Sequence, residues 1–263
     1  MRCEALIFDV DGTLADTEEL HRQAFNRAFA VCQLQWSWDT RLYGELLRVT
    51  GGKERIASYI ESLQLPGTER RHALDLVPQI HRAKTRIYRM LIQAGRVQAR
   101  SGIRRLMIEA RDAGVRIAIA STTSPENIEP LVIAALGAEA VHWFHTIAAG
   151  DVVMHKKPAP DIYNEALNNL NIAPARAIAV EDSALGVMSA KAAGLFTVAT
   201  PSIWTRHQAF EAADLVIGSL GDPDEPLAPA DRLRVGARFL SLERLAELHA
   251  AAARTGVAHA QAH

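Results

Sequence analysis

Apolar and polar positions change their period along the chain. Ala5-Leu6-Ile7-Phe8 is a continuous apolar run that stops at two carboxylates, Asp9 and Asp11, and Asp11-Gly12 carries a turn signal. A short apolar run closed this way predicts a strand buried on both faces. From Thr17 to about Ala99 the spacing turns helical. Glu19, Leu20, Gln23, Ala24, Arg27 and Ala28 alternate faces with a period of about 3.6 residues, and Arg55 to Leu63 and His81 to Ile92 repeat the pattern. Nothing in that stretch reads as a central parallel strand. Strand signals return at Val115–Ala120, Phe144–Ala148, Ala177–Val180 and Phe196–Val198, with Asp214–Ile217 as a further short one. Helical segments at 102–113, 125–136, 160–170 and 184–193 separate them. This alternation predicts an α/β fold, a doubly wound and mostly parallel sheet.

The helical stretch then reads as a small domain inserted after the first strand, hinged near Thr17 and near 99–102. The expected division is residues 1–16 and 100–221 for the α/β core and 17–99 for the insertion. Residues 222–263 form a C-terminal extension, with a loop at Asp222-Pro223-Asp224-Glu225-Pro226, a helix at about 240–253 and a frayed end from 255 to 263.

Composition narrows the class. The 263 residues suffice for a sizeable core, and 49% hydrophobic with 22% charged residues is ordinary for a globular protein. A net charge of −1 gives no basic footprint for nucleic acid. No apolar run is long enough to cross a bilayer, and the first strand follows Met1 with no secretory signal between, so a cytoplasmic protein is expected. Cys3 and Cys32 lack metal-ligand spacing and are expected as free thiols.

The chemistry gathers at strand ends. Asp9 and Asp11 emerge at the C-terminal end of a parallel strand, where open α/β sheets bind ligands. Two such anions side by side need a cation or a shared proton. An acidic turn, a calcium loop, a magnesium site and phosphoryl transfer all compete for this stretch. The calcium loop fails on Ile7, which occupies its first ligand position, and on the strand that leads into it. After the next strand, Ser121-Thr122-Thr123-Ser124 leads into a helix at Pro125, so hydroxyls and amides offer an anion cradle, with Ser124 as helix cap. Lys156-Lys157-Pro158-Ala159-Pro160 holds Lys157 in a proline-fixed turn. Glu181-Asp182-Ser183 supplies a second acidic pair. Asp9, Asp11, Glu181 and Asp182 together are hard oxygen ligands suited to Mg²⁺.

In order and spacing, Asp9-Val10-Asp11-Gly12-Thr13-Leu14, the Ser121 hydroxyl, Lys157-Pro158-Ala159-Pro160-Asp161 and Glu181-Asp182-Ser183 resemble the four motifs of the haloacid-dehalogenase-like phosphatases. The insertion resembles their C1-type cap on a Rossmann-like core. The resemblance spans residues 1 to about 220. It implies that Asp9 attacks phosphorus while Asp11 protonates the leaving oxygen and later activates water. It implies that Ser121, Thr122 and Lys157 hold the phosphoryl group. Asp9, the Asp11 carbonyl and Asp182 would ligate Mg²⁺, with Glu181 in support. Asp11 must be protonated for the first step, and its burial beneath the cap beside Asp9 is expected to raise its pKa.

Within the cap, Asp16-Thr17-Glu18-Glu19-Leu20-His21 and Thr50-Gly51-Gly52-Lys53-Glu54-Arg55 resemble the CbbY-type subfamily, which neighbours β-phosphoglucomutase. Thr205-Arg206-His207 fits that resemblance too. It implies a sugar phosphate such as xylulose 1,5-bisphosphate, a place in carbon fixation, and substrate contacts from Glu18, His21, Gly51, Gly52, Lys53, Glu54, Arg55, Lys84 and Thr123. His21 and Lys84 also suit a phosphomutase. A non-catalytic sugar-phosphate sensor is the third alternative, but it would be expected to lack Asp9 or Asp11. A monomer with a small-molecule sugar-phosphate partner is expected.

Overall fold

A computed structural model describes residues 3–95 and 97–260, with side chains through Arg254. Six strands form one parallel sheet in the order β3-β2-β1-β4-β5-β6. They are β1 (Ala5–Phe8), β2 (Arg116–Ser121), β3 (Phe144–Ala149), β4 (Ala177–Glu181), β5 (Phe196–Ala199) and β6 (Leu215–Val216). β1 therefore lies in the middle, paired with β2 and β4.

Alternating side chains explain the unbroken apolar run of the central strands. Leu6, Phe8, Ile117, Ile119, Ile178 and Val180 face one side of the sheet. Ala5, Ile7, Ala118, Ala120, Ala177 and Ala179 face the other, against Ile162, Tyr163 and Leu167. The small alanines let a helix approach closely on that second face.

The insertion between β1 and β2 holds α1 (Glu18–Val31), α2 (Thr40–Leu46), α3 (Gly52–Ser62), α4 (Gly67–Asp75) and α5 (Val77–Ala94). It has a core of its own. Trp38 is fully buried there, with ring centroids 4.6 Å from Phe25 and 4.9 Å from Phe29. The two crossings meet in a bridge between Ala15 and Ala99. α6 (Ile103–Asp112), α7 (Pro125–Leu136), α8 (Asp161–Leu170) and α9 (Ala184–Ala192) flank the sheet.

Beyond residue 221 the chain packs into the same core, through Leu227, Val235, Leu240 and Leu245. α10 (Pro229–Val235) carries no strong periodic signal in the sequence. The closing helix, α11 (Leu242–Ala260), runs into the stretch expected to fray, as far as residue 260. Its alanine run favours helix. The rest of that expectation, residues 261–263, lies outside the described residues. Among the described residues no helix is long and apolar enough to cross a membrane.

Phe8 is fully buried at the centre of the sheet. Phe8→Ala is expected to lower the unfolding free energy by about 3–5 kcal/mol in a denaturant titration. A loss under about 1 kcal/mol would contradict this packing.

Candidate active site

Asp9 follows β1 directly, and its amide donates to the Val180 carbonyl at 3.0 Å, which extends the β1–β4 ladder by one residue. Its carboxylate then emerges at the sheet's C-terminal edge. There Lys157 Nζ donates to Asp9 Oδ1 at 2.7 Å and to Glu181 Oε1 at 2.5 Å. The Lys157 side chain is only 4% exposed and that of Glu181 is fully buried. Tyr163 donates its hydroxyl to the same Glu181 oxygen at 2.7 Å, and its ring lies 5.1 Å from the ammonium. Lys157 precedes a cis proline, Pro158.

Asp9, Glu181 and Asp182 bring one carboxylate oxygen each within 4.8 Å of one another, and all three are buried. Among the described residues Lys157 is the one cation hydrogen-bonded to this trio. Burial lifts the Asp9 carboxyl above the ordinary range; Lys157 opposes that lift, and Glu181 and Asp11 reinforce it. Burial, then the charges of Asp9 and Glu181, push Asp182 well above its usual value. Burial disfavours the Lys157 ammonium, yet Asp9 and Glu181 hold it above the ordinary lysine range. Three anions against one lysine fit a hard divalent cation. Glu181 is the least available of them. Its oxygens already accept from Lys157, Tyr163, the Asp182 amide and Ser183. A Cβ at Gly186 would fall 2.0 Å from its carboxylate, so only glycine leaves it room.

Asp11 belongs to a different network. Its Oδ1 accepts from Thr17 Oγ1 at 2.6 Å, from Tyr88 at 3.2 Å and from His21 Nε2 at 2.8 Å. His21 stacks on Tyr88 with centroids 3.9 Å apart, and its Nδ1 lies 2.6 Å from Lys84 Nζ. A lysine that donates to Nδ1 leaves the proton on Nε2, so the pair carries one positive charge beside Asp11. Burial alone would raise Asp11, as expected from the sequence. The His21 contact, the Thr17 hydroxyl and Lys84 overturn that expectation and hold the carboxyl below the usual range. The side chain of Asp11 also lies outside the buried acidic trio, which leaves only its carbonyl for a metal. Burial lowers Lys84 to about 8; Asp11 and Glu18 oppose the drop and Arg55 assists it.

One cavity gathers most of the expected residues. The core contributes Asp9, Asp11, Ser121, Thr122, Thr123, Lys157 and Asp182. The cap contributes Glu18, His21, Gly51, Gly52, Arg55 and Lys84. Tyr43 joins two of these, donating to Glu18 at 2.6 Å and accepting from Arg55 at 3.1 Å. Lys53 and Glu54 line an adjoining cleft instead. Lys53 reaches across to Asp151 at 2.7 Å, because the core presents that carboxylate opposite the start of α3. Ser124 occupies the cap position of α7 without a side-chain bond, since the Asn127 amide takes the Ser124 carbonyl. Ser183, by contrast, caps α9 through its hydroxyl at 3.1 Å from the Gly186 amide, which leaves Asp182 free of capping.

Tyr163 and His81 carry no isolated sequence signal, whereas Thr205 belongs to the Thr205-Arg206-His207 stretch. Tyr163 sits two residues past the lysine motif on an apolar helix face. Thr205 donates to Asp182 Oδ2 at 3.2 Å from a remote loop. His81 lines the cavity beside Lys84. Burial, with the charges of Lys84 and Lys53, lowers His81 from 6.5 to about 4. Protons therefore bind the unfolded chain first, and stability falls as pH drops through this window. In an NMR titration His81 is expected to remain neutral until about pH 4. A midpoint near 6.5 would contradict the environment described.

Residues 3–194 match the haloacid dehalogenase-like hydrolase family. Protein CbbY of Cereibacter sphaeroides is 47% identical over 224 residues, which cover 83% of this chain and 93% of that protein. A crystal structure of a CbbY mutant from Rhodobacter sphaeroides, in complex with xylulose-(1,5)bisphosphate, has a TM-score of 0.76 and 46% identity over 82% of this chain and 94% of its own. β-Phosphoglucomutase from Clostridium difficile, with a TM-score of 0.68, 22% identity and coverage of 94% and 97%, shares the fold. The chain thus belongs to the haloacid dehalogenase-like hydrolase family, as a phosphatase with an inserted helical cap.

Proposed function

We propose that the protein is a Mg²⁺-dependent sugar-phosphate phosphatase acting through an aspartyl phosphate, with a sugar bisphosphate such as xylulose 1,5-bisphosphate as substrate. The observation that carries this reading is Asp9. Its carboxylate shares Lys157 with Glu181 at the floor of a cavity roofed by the cap. The likeness to CbbY supports the choice of substrate.

In this reading a phosphoryl group rests on Lys157 and the Ser121–Thr122 turn, in line with an Asp9 oxygen. Asp9, Asp182 and the Asp11 carbonyl would hold Mg²⁺, with Glu181 in support beside Lys157. The ion, when bound, offsets the negative charge that would otherwise repel an anionic nucleophile from phosphate. The Asp9 oxygen attacks phosphorus as the bond to the sugar oxygen breaks, and that oxygen takes a proton from Asp11. Water then attacks the aspartyl phosphate while Asp11 accepts its proton, which releases phosphate and restores Asp9.

The resting charge of Asp11 suits the second step directly. For the first step it needs a proton, and His21 Nε2 at 2.8 Å is a donor within reach. Lys84, whose pKa lies near 8, can return that proton through Nδ1.

Residues 17–99 act as a cap over the core of residues 1–16 and 100–221. Glu18, Arg55 and the Gly51–Gly52 turn meet the sugar and its distal phosphate, and Thr123 meets the sugar from the core side. Lys53 and Glu54 flank the opening. A monomer is part of this reading, and two free cysteines suit the cytoplasm.

Pure protein with Mg²⁺ is expected to release phosphate from xylulose 1,5-bisphosphate and to leave β-glucose 1-phosphate unconverted to glucose 6-phosphate. Asp9→Asn should lose at least about 10³-fold in kcat. Glucose 6-phosphate formation would favour a mutase, and wild-type turnover no higher than the Asp9→Asn control would leave a sensor.

A further inference from the structure

Arg100 lies at the second crossing between cap and core, far from Asp9 in sequence, and carries no motif. Its side chain is 11% exposed. Its amide donates to the Leu14 carbonyl at 2.9 Å, beside the Ala15–Ala99 bridge. The guanidinium bonds four carbonyls on three backbone segments. Nη1 donates to the carbonyls of Gly12 and Thr200, both at 2.5 Å. Nη2 donates to the carbonyls of Pro201 and Gly218, both at 3.1 Å. Nε faces Asp16 at 3.6 Å.

Two of those segments form the walls around one carboxylate. Gly12, at φ +87°, lies so close to Asp182 that a Cβ there would fall 2.2 Å from its Oδ2. On the other side the Ser202 amide donates to Thr205 Oγ1 at 2.9 Å, and Thr205 donates to the same Asp182 oxygen at 3.2 Å. The Gly12 turn and the Thr200–Ser202 turn leave different strands, β1 and β5. The Arg100 guanidinium bonds both of them directly.

We propose that Arg100 is a positioning residue for Asp182: it fixes the two walls of that carboxylate and thereby the geometry of the metal site. This rests on the Mg²⁺-dependent reading given above. Mg²⁺ demands near-ideal octahedral geometry, so a displaced carboxylate weakens the ion first. A lysine cannot replace the fork, because one ammonium cannot span four separated carbonyls in a plane.

The test is Mg²⁺ binding by calorimetry to the full chain without substrate. Arg100→Lys and Arg100→Met are expected to bind Mg²⁺ about 10- to 100-fold more weakly, while still melting cooperatively. Hydrolysis of p-nitrophenyl phosphate by Arg100→Lys should recover as Mg²⁺ is raised. Thr205→Val spares the carbonyl contacts of the guanidinium and is expected to weaken Mg²⁺ in the same direction. Wild-type Mg²⁺ affinity in Arg100→Lys, whatever its Tm, overturns the proposal. A wild-type protein that binds no Mg²⁺ overturns the metal reading of the site and this inference with it.

Discussion

The Lys157 ammonium, held between Asp9 and Glu181 beneath the cavity, is the contact on which the rest of the site depends. An unpaired charge in a dry interior costs several kcal/mol, by an order-of-magnitude rule. One lysine there allows a second and a third carboxylate to stand nearby, yet it does not neutralise them all. The fold has brought together more negative charge than its own cations offset. That imbalance is tolerated because β1 and β4 are adjacent, buried and rigid, so the carboxylates cannot swing away to water. The same imbalance suits the chemistry of a small, hard, doubly charged ion.

A second charge system sits only two residues away and is balanced differently. Asp11 turns from the acidic trio towards the cap, where Thr17, Tyr88 and His21 satisfy it. The cap groups therefore hold the Asp11 carboxylate as well as roofing the cavity. Lys84 stands behind His21, so α1 and α5 together set the charge on Asp11. The position of the cap and the protonation of Asp11 are thus parts of one hydrogen-bonded assembly, and movement of α1 or α5 would change both.

Much of this was legible from residue order. Continuous apolar runs marked the central strands, because a parallel strand covered on both faces needs no polar alternation. The carboxylates, hydroxyls and lysine that ended those runs had to share one sheet edge once the strands were parallel. What escaped was set by contacts across the fold. Tyr163 reads as an apolar helix position until Glu181 is seen beneath it. Arg100 reads as a linker residue until four carbonyls converge on it. Burial beside Asp9 points to a raised Asp11 pKa, but His21 and Lys84 lie 10 and more residues along the chain and add their opposing effect only when α5 packs on α1. Lys53 follows a glycine pair that suits phosphate binding, but its partner Asp151 lies 98 residues away, so residue order does not pair them.

Asp9, Glu181 and Asp182 hold more buried negative charge than Lys157 offsets, and a divalent cation would relieve it. Thermal melting of the wild type and of Asp182→Asn, each with and without Mg²⁺, tests it most directly. Because burial, Asp9 and Glu181 disfavour the Asp182 charge, the neutral asparagine should melt higher than the metal-free wild type. Mg²⁺ should raise the wild-type Tm and leave Asp182→Asn unmoved. An Asp182→Asn protein that melts below the metal-free wild type, or that still gains stability from Mg²⁺, would contradict the account.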